Sequence, residues 1–221
     1  SAAWGPPARL YPAPHLPRSD AEYVRERVLS VAARHIGLAY QHHHLPSWMP
    51  PPEWPWLPVK AGANGPGLDC SNFSSFVFNY ALGIKLPTAI GAQGRIRRLD
   101  GPGGQGCLVA ERLEAPHAGH LVAQLQPSDL LYFHNARGAI RHVAFWLGAV
   151  GQGPTPLLID CSQGAHRDAK GVLIPTGVRI RPFTLAGWYG RHLSHAHRLL
   201  GAPASACLRP PGPVPEGDDR A

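Results

Sequence analysis

Gly67-Leu68-Asp69-Cys70-Ser71-Asn72-Phe73-Ser74-Ser75-Phe76-Val77-Phe78-Asn79-Tyr80-Ala81-Leu82-Gly83 reads as a loop running into a helix, with a cysteine in the first turn. Asp69 suits the cap position, because a side-chain oxygen there satisfies one of the backbone N–H groups that the first turn leaves free. Phe73, Phe76, Val77, Tyr80 and Ala81 recur at i, i+3, i+4, i+7 and i+8, which makes one apolar stripe of helical period. Gly83 stands where a left-handed residue ends a helix. A thiol at the start of such a helix lies in the positive end of the macrodipole, which favours the nucleophilic thiolate. An arbitrary cysteine is more often an inert core residue. Here the polar flank Asp69-Cys70-Ser71-Asn72 puts the thiol at a mouth outside the stripe, so Cys70 reads as a nucleophile in need of a base.

Outward from this stretch, 221 residues suffice for one domain with a sizeable core and extensions, or at most two small domains. The 25 prolines and 25 glycines make loops and turns abundant. Only 16% of residues are charged, yet the net charge is +7. That balance suits an anionic partner: nucleic acid, an acidic membrane surface or a cell-wall polymer. The arginines (Arg95, Arg97, Arg98, Arg179, Arg181, Arg191, Arg198) are scattered and form no tract, so nucleic acid is not indicated. No apolar run approaches the roughly 18 residues that a membrane span needs. The sequence opens Ser-Ala-Ala, without a charged n-region or an apolar h-region, as expected of a cytosolic chain or of one whose signal peptide has been removed. Cys70, Cys107, Cys161 and Cys207 follow no metal-ligand spacing, and one bridge among the last three is open.

In chain order, prolines at 6, 7, 12, 14 and 17 make residues 1–18 an extended arm. Ser19 with Glu22 forms a capping box, and apolar spacing from Tyr23 to Ile36 predicts a helix over roughly 20–36, ended by Gly37. His42-His43-His44 invites a metal site. Adjacent residues of an extended chain point in alternating directions, however, and no other metal-binding pattern accompanies them. No metal and no cofactor is therefore expected. Trp48, Trp54 and Trp56 stand among stiffening prolines and cover a core edge or line a groove. Residues 94–126 are Gly- and Arg-rich and read as a surface excursion, with His117 and His120 facing solvent. Short strands are predicted at Leu130–Phe133, Arg141–Gly148, Leu157–Cys161 and Val178–Pro182, joined by turns into an antiparallel meander. The tail from 201 to 221 is proline-rich, then acidic, and is expected to be disordered.

Asp69-Cys70-Ser71 opening a helix, Leu125-Gln126-Pro127-Ser128-Asp129-Leu130 entering a strand, and His142-Val143 followed by Gly148 resemble the NlpC/P60 cell-wall cysteine peptidases. Leu38-Ala39-Tyr40, Trp188-Tyr189-Gly190-Arg191 and Ala196-His197-Arg198 fit the same pattern. The resemblance covers about residues 20–200, and cysteine precedes histidine, unlike the permuted lecithin:retinol acyltransferase group. It implies an α+β, papain-like fold in which the cysteine helix packs on an antiparallel sheet carrying the histidine. The implied catalytic domain is 19–200, with insertions at about 41–66 and 94–124. The implied activity is hydrolysis of peptide bonds in peptidoglycan stem peptides, between D-glutamate and a diamino acid, by a periplasmic or extracellular enzyme whose partner is peptidoglycan or a muropeptide.

On that resemblance Cys70 is the nucleophile, His142 the base, and Asp160 the third residue that orients the imidazole, with Tyr40, Asp69 and Ser71 at substrate-binding or oxyanion positions. Three departures stand out. Asn72 replaces the family's usual glycine after Cys-Ser. Asp160 stands where His, Asn or Gln is usual, with Gln163 and His166 as alternatives. Residues 41–66 replace a short glycine-rich link and are expected to wall the cleft. His134 is the fallback base. Two other classes share these features: a catalytically restricted wall-binding module, and a thiol-dependent lipid acyl hydrolase or transferase.

Overall fold

The computed structural model describes residues 10–40, 68–151, 153–164, 166–167 and 171–200. In chain order its elements are α1 (Ala21–Ala33), α2 (Cys70–Leu82), α3 (Ile90–Gln93), β1 (Arg98–Asp100), a 3-10 turn (Pro102–Gly104), β2 (Cys107–Val109), β3 (Glu111–Leu113) and α4 (Ala118–Val122). They continue with β4 (Leu130–His134), β5 (Ile140–Gly148), β6 (Leu157–Ser162), β7 (His166–Arg167), β8 (Leu173–Ile174), β9 (Gly177–Pro182), α5 (Trp188–His192) and β10 (Leu193–Arg198). The class is α+β. One six-stranded antiparallel sheet, ordered β3-β10-β4-β5-β6-β9, carries α2 against its middle strands.

The four strands read from the sequence lie side by side as the meander β4-β5-β6-β9. β10 was not expected. It returns along β4 and makes that strand internal, and β3, from the stretch read as a surface excursion, closes the edge beyond it.

The cap of α2 forms as its residues dictate: the Asp69 carboxylate accepts from Asn72 N–H at 2.8 Å, and Gly83 ends the helix at φ 70°. The single apolar stripe was too narrow a description. Nearly every residue of α2 is buried, including Ser71, Asn72, Ser74, Ser75 and Asn79. Several of these polar groups find partners nearby. Ser75 Oγ donates to Leu86 O, Ser74 Oγ to Gln93 Oε1, and Asn79 Oδ1 accepts from Tyr11 N–H of the N-terminal arm. Phe73 meets Phe145 edge-on and Phe78 stacks on it, fixing α2 on β5. At α1 the cap is Asp20 rather than Ser19, its carboxylate accepting from Tyr23 N–H at 3.0 Å. A carboxylate one residue later reaches the same class of free N–H, and Arg18 holds it in place.

The chain after α1 is tied to both the sheet and α2. Val178 N–H donates to Leu38 O at 2.9 Å and Gly37 N–H to Val178 O at 3.1 Å. Gly177 makes this approach possible, since its φ is 91° and a Cβ there would sit 2.3 Å from Leu38 O. Tyr40 then bridges to Leu68, immediately before the cap of α2. The chain after α1, the sheet edge and the start of α2 thus converge on one point.

Candidate active site

Cys70 is the first residue of α2, and only 7% of its surface is exposed. It lines a cavity of about 520 Å³ together with Tyr40, Arg141, His142, Ser162, Gln163, Gly164 and Trp188. β5 brings His142 to the same place. Its ring lies beside the Cys70 thiol, whose sulfur is 3.9 Å from Arg141 O, and Nε2 lies 2.7 Å from Asp160 Oδ2 on the other side. That leaves Nδ1 to face the sulfur. Asp160 comes from β6, where it stands opposite Ala144, two residues along β5 from His142 and on the same face.

The histidines sort themselves by environment. His35, His195 and His197 are buried, and loss of hydration pushes them down from 6.5 to about 3, 4 and 3. They are neutral core rings. Burial also works against charge on His142, but the hydrogen bonds to Asp160 and Cys70 and the negative charge of both outweigh it and raise it to about 10. Asp160 is buried too. Burial disfavours its charge, and the contacts to His142, Arg181 and Tyr189 reverse that and hold the carboxyl below its usual range. A histidine stabilised as imidazolium beside a thiol is an arrangement suited to acyl transfer through sulfur.

The other anticipated residues divide. Tyr40 is in the cavity wall, and burial followed by the charges of Cys70 and Asp69 pushes its hydroxyl well up, so it remains a neutral donor. Asp69 and Ser71 do not line the cavity. Asp69 caps α2 and Ser71 Oγ lies 2.6 Å from Thr88 O, so both support the helix start. Gln163 lines the cavity, but His142 takes Asp160 as its partner. His166 lies in the short strand β7. His134 bonds through Nδ1 to Asn135 O, its ring packs on His192, and it is not among the described residues that line the cavity. The histidine run 42–44 and the tryptophans at 48, 54 and 56 lie outside the described residues.

Three residues of the site were missed as such. Trp188 walls the cavity with its ring 6.0 Å from that of His142. Tyr189 and Arg181 both hold Asp160. The Trp188-Tyr189 pair was visible as a motif without a role, and Arg181 as one scattered cation among many.

Residues 58–153 match the model of the NlpC/P60 family. Among solved structures, an NlpC/P60 endopeptidase from Photobacterium damselae subsp. piscicida is similar at 13% identity and a TM-score of 0.45. The match covers 78% of this chain and 38% of that one, so this chain spans well under half of that protein's length. No curated protein matches.

Proposed function

We propose, for a chain whose residues 58–153 match the NlpC/P60 family, a cysteine peptidase that hydrolyses amide bonds in peptidoglycan stem peptides, at the bond between D-glutamate and a diamino acid. The observation that carries this reading is the convergence of Cys70 and His142 on one cavity, with the far side of the His142 ring held 2.7 Å from the buried Asp160 carboxylate.

The steps follow from those contacts. Cys70 gives its proton to His142, and the thiolate attacks the carbonyl carbon of the scissile amide. The negative charge that develops on the carbonyl oxygen meets the Cys70 backbone N–H at the free end of α2, with the Tyr40 hydroxyl as second donor. The imidazolium of His142 then protonates the leaving amine, and the C–N bond breaks to give a thioester. Water, deprotonated by His142, attacks the thioester and releases the acid and the thiol. Asp160 keeps Nε2 engaged throughout, so that Nδ1 alone handles the proton. Arg141 on the cavity wall suits the carboxylates of a stem peptide, and Trp188 gives an apolar floor.

The assigned catalytic unit is 19–200, with the arm 1–18 and the tail 201–221 outside it. The location is periplasmic or extracellular. In support, Cys107 is disulfide-bonded, which fits an oxidising compartment, and a charge of +7 fits an anionic wall polymer.

Purified muropeptides incubated with the protein and analysed by mass test this directly. The expected products are a fragment ending in D-glutamate and one beginning with the free amine of the diamino acid. Binding to peptidoglycan without any new fragment, or release of fatty acid from lipid esters instead, would overturn the peptidase reading.

A further inference from the structure

Asp160 is enclosed to a degree that orienting one imidazole does not require. It has no exposed surface and accepts three hydrogen bonds of 2.7 Å: Arg181 Nε on Oδ1, and both His142 Nε2 and Tyr189 Oη–H on Oδ2. Arg181 is itself wholly buried. It stands opposite Leu158 on β9, on the face that Asp160 shares, and the rest of its guanidinium donates to the carbonyls of Pro175 and Gly177. The cation therefore cannot swing away. Tyr189 approaches from the start of α5, and burial together with the Asp160 charge pushes its phenol well up, so it stays a donor.

We infer that Arg181 and Tyr189 are positioning residues of the reaction, which balance the charge of Asp160 and fix both of its oxygens so that it orients His142 as a neutral amide would. They act through Asp160 and touch no reacting atom. The physical need is plain. A buried carboxylate with no counter-charge would bind the imidazolium proton too tightly for it to pass to a leaving amine. With Arg181 in place, thiolate, imidazolium, carboxylate and guanidinium sum to zero charge. The groups facing His142 are Cys70 from α2, Asp160 from β6 and Tyr189 from α5, with Arg141 beside it on β5 and Arg181 from β9 behind Asp160.

This inference rests on Cys70 and His142 being nucleophile and base, and two readouts keep it separate from that reading. The first is the pH dependence of kcat/KM for Tyr189→Phe, Arg181→Met and the pair Asp160→Asn with Arg181→Met. The second, which needs no substrate, is an NMR titration of the His142 ring in the intact protein. Both single variants are expected to move the alkaline limb and the ring titration to higher pH, since each leaves more charge on Asp160. Tyr189→Phe should lower kcat about tenfold at unchanged KM, the equivalent of one hydrogen bond. The paired variant should be more active than Asp160→Asn alone, because the amide oxygen is then free to face the imidazole rather than an unpaired guanidinium. An unmoved limb and ring titration in Tyr189→Phe, which keeps the ring and loses only the hydroxyl, overturn the inference even if Arg181→Met fails to fold. Absence of cleavage by the unaltered protein counts against the peptidase reading, and the ring titration still decides this one.

Discussion

Cys70→Ala is expected to lower stem-peptide cleavage by roughly a million-fold, the scale seen when a hydrolase loses its nucleophile. No neighbouring group stands in for the sulfur. Cys161 is the other free thiol among the described residues, and it is wholly buried, with its S–H directed to Leu68 O at 2.9 Å. Burial, followed by the negative charge of Asp160, pushes that thiol well up, so it stays protonated. The substitution removes one small atom at a cavity wall, and stability should change by no more than about 1 kcal/mol. Product formation followed by chromatography, with a thermal melt on the same samples, checks both halves. Retention of a tenth of the original rate by a folded Cys70→Ala protein would remove Cys70 from the mechanism.

Asp160→Ala carries the second large effect, and it acts on stability as well as turnover. Losing the group that holds the imidazole is expected to lower kcat by about 10⁴-fold. Arg181 is then left as a buried cation without its carboxylate, which costs about 3–5 kcal/mol. Gln163→Ala, at an exposed position on the cavity rim, should do neither. The stability loss depends on pH. Asp160 is lowered in the folded protein, so its contribution is present above its unfolded value of 3.8 and fades as pH falls below it. His142 is raised from 6.5 to about 10, so its contribution is complete below 6.5 and is lost as pH rises toward 10. The gap between the unaltered protein and Asp160→Ala is therefore widest between pH 3.8 and 6.5. Urea unfolding at several pH values measures it. A gap that widens above pH 8 would contradict the assigned coupling.

The parts of this molecule that were legible in the sequence are those written locally. Asp69, the helical spacing after it and Gly83 specify α2, and each acts within a turn or two of its own position. The four meander strands were legible because short turns join them and neighbouring strands then pair. The α1 cap shifted by one residue because Ser19 and Asp20 are both competent and only the fold chooses between them. His142 needed order along the chain in addition to local pattern, since a lone histidine among 13 carries little information. Arg181 and Tyr189 were not legible as site residues. Their contact with Asp160 spans 21 and 29 positions and depends on the register of β6 with β9 and on α5 packing against β4. β10 escaped for a related reason: its alternation of His195, Ala196 and His197 places buried neutral histidines where a strand usually shows aliphatic residues. The polar residues of α2 misled in the opposite sense, because short side chains with nearby carbonyls are buried as readily as apolar ones.

That Cys70 and His142 act as one reactive pair is a claim that the rate of alkylation of the native protein by iodoacetamide at pH 7 tests without assuming a substrate. Peptide mapping by mass assigns the label. Cys70 should be modified first, about tenfold or more faster than in His142→Ala, while Cys161 remains unmodified until the protein unfolds. Equal rates at Cys70 with and without His142, or labelling of Cys161 ahead of Cys70, would contradict the claim.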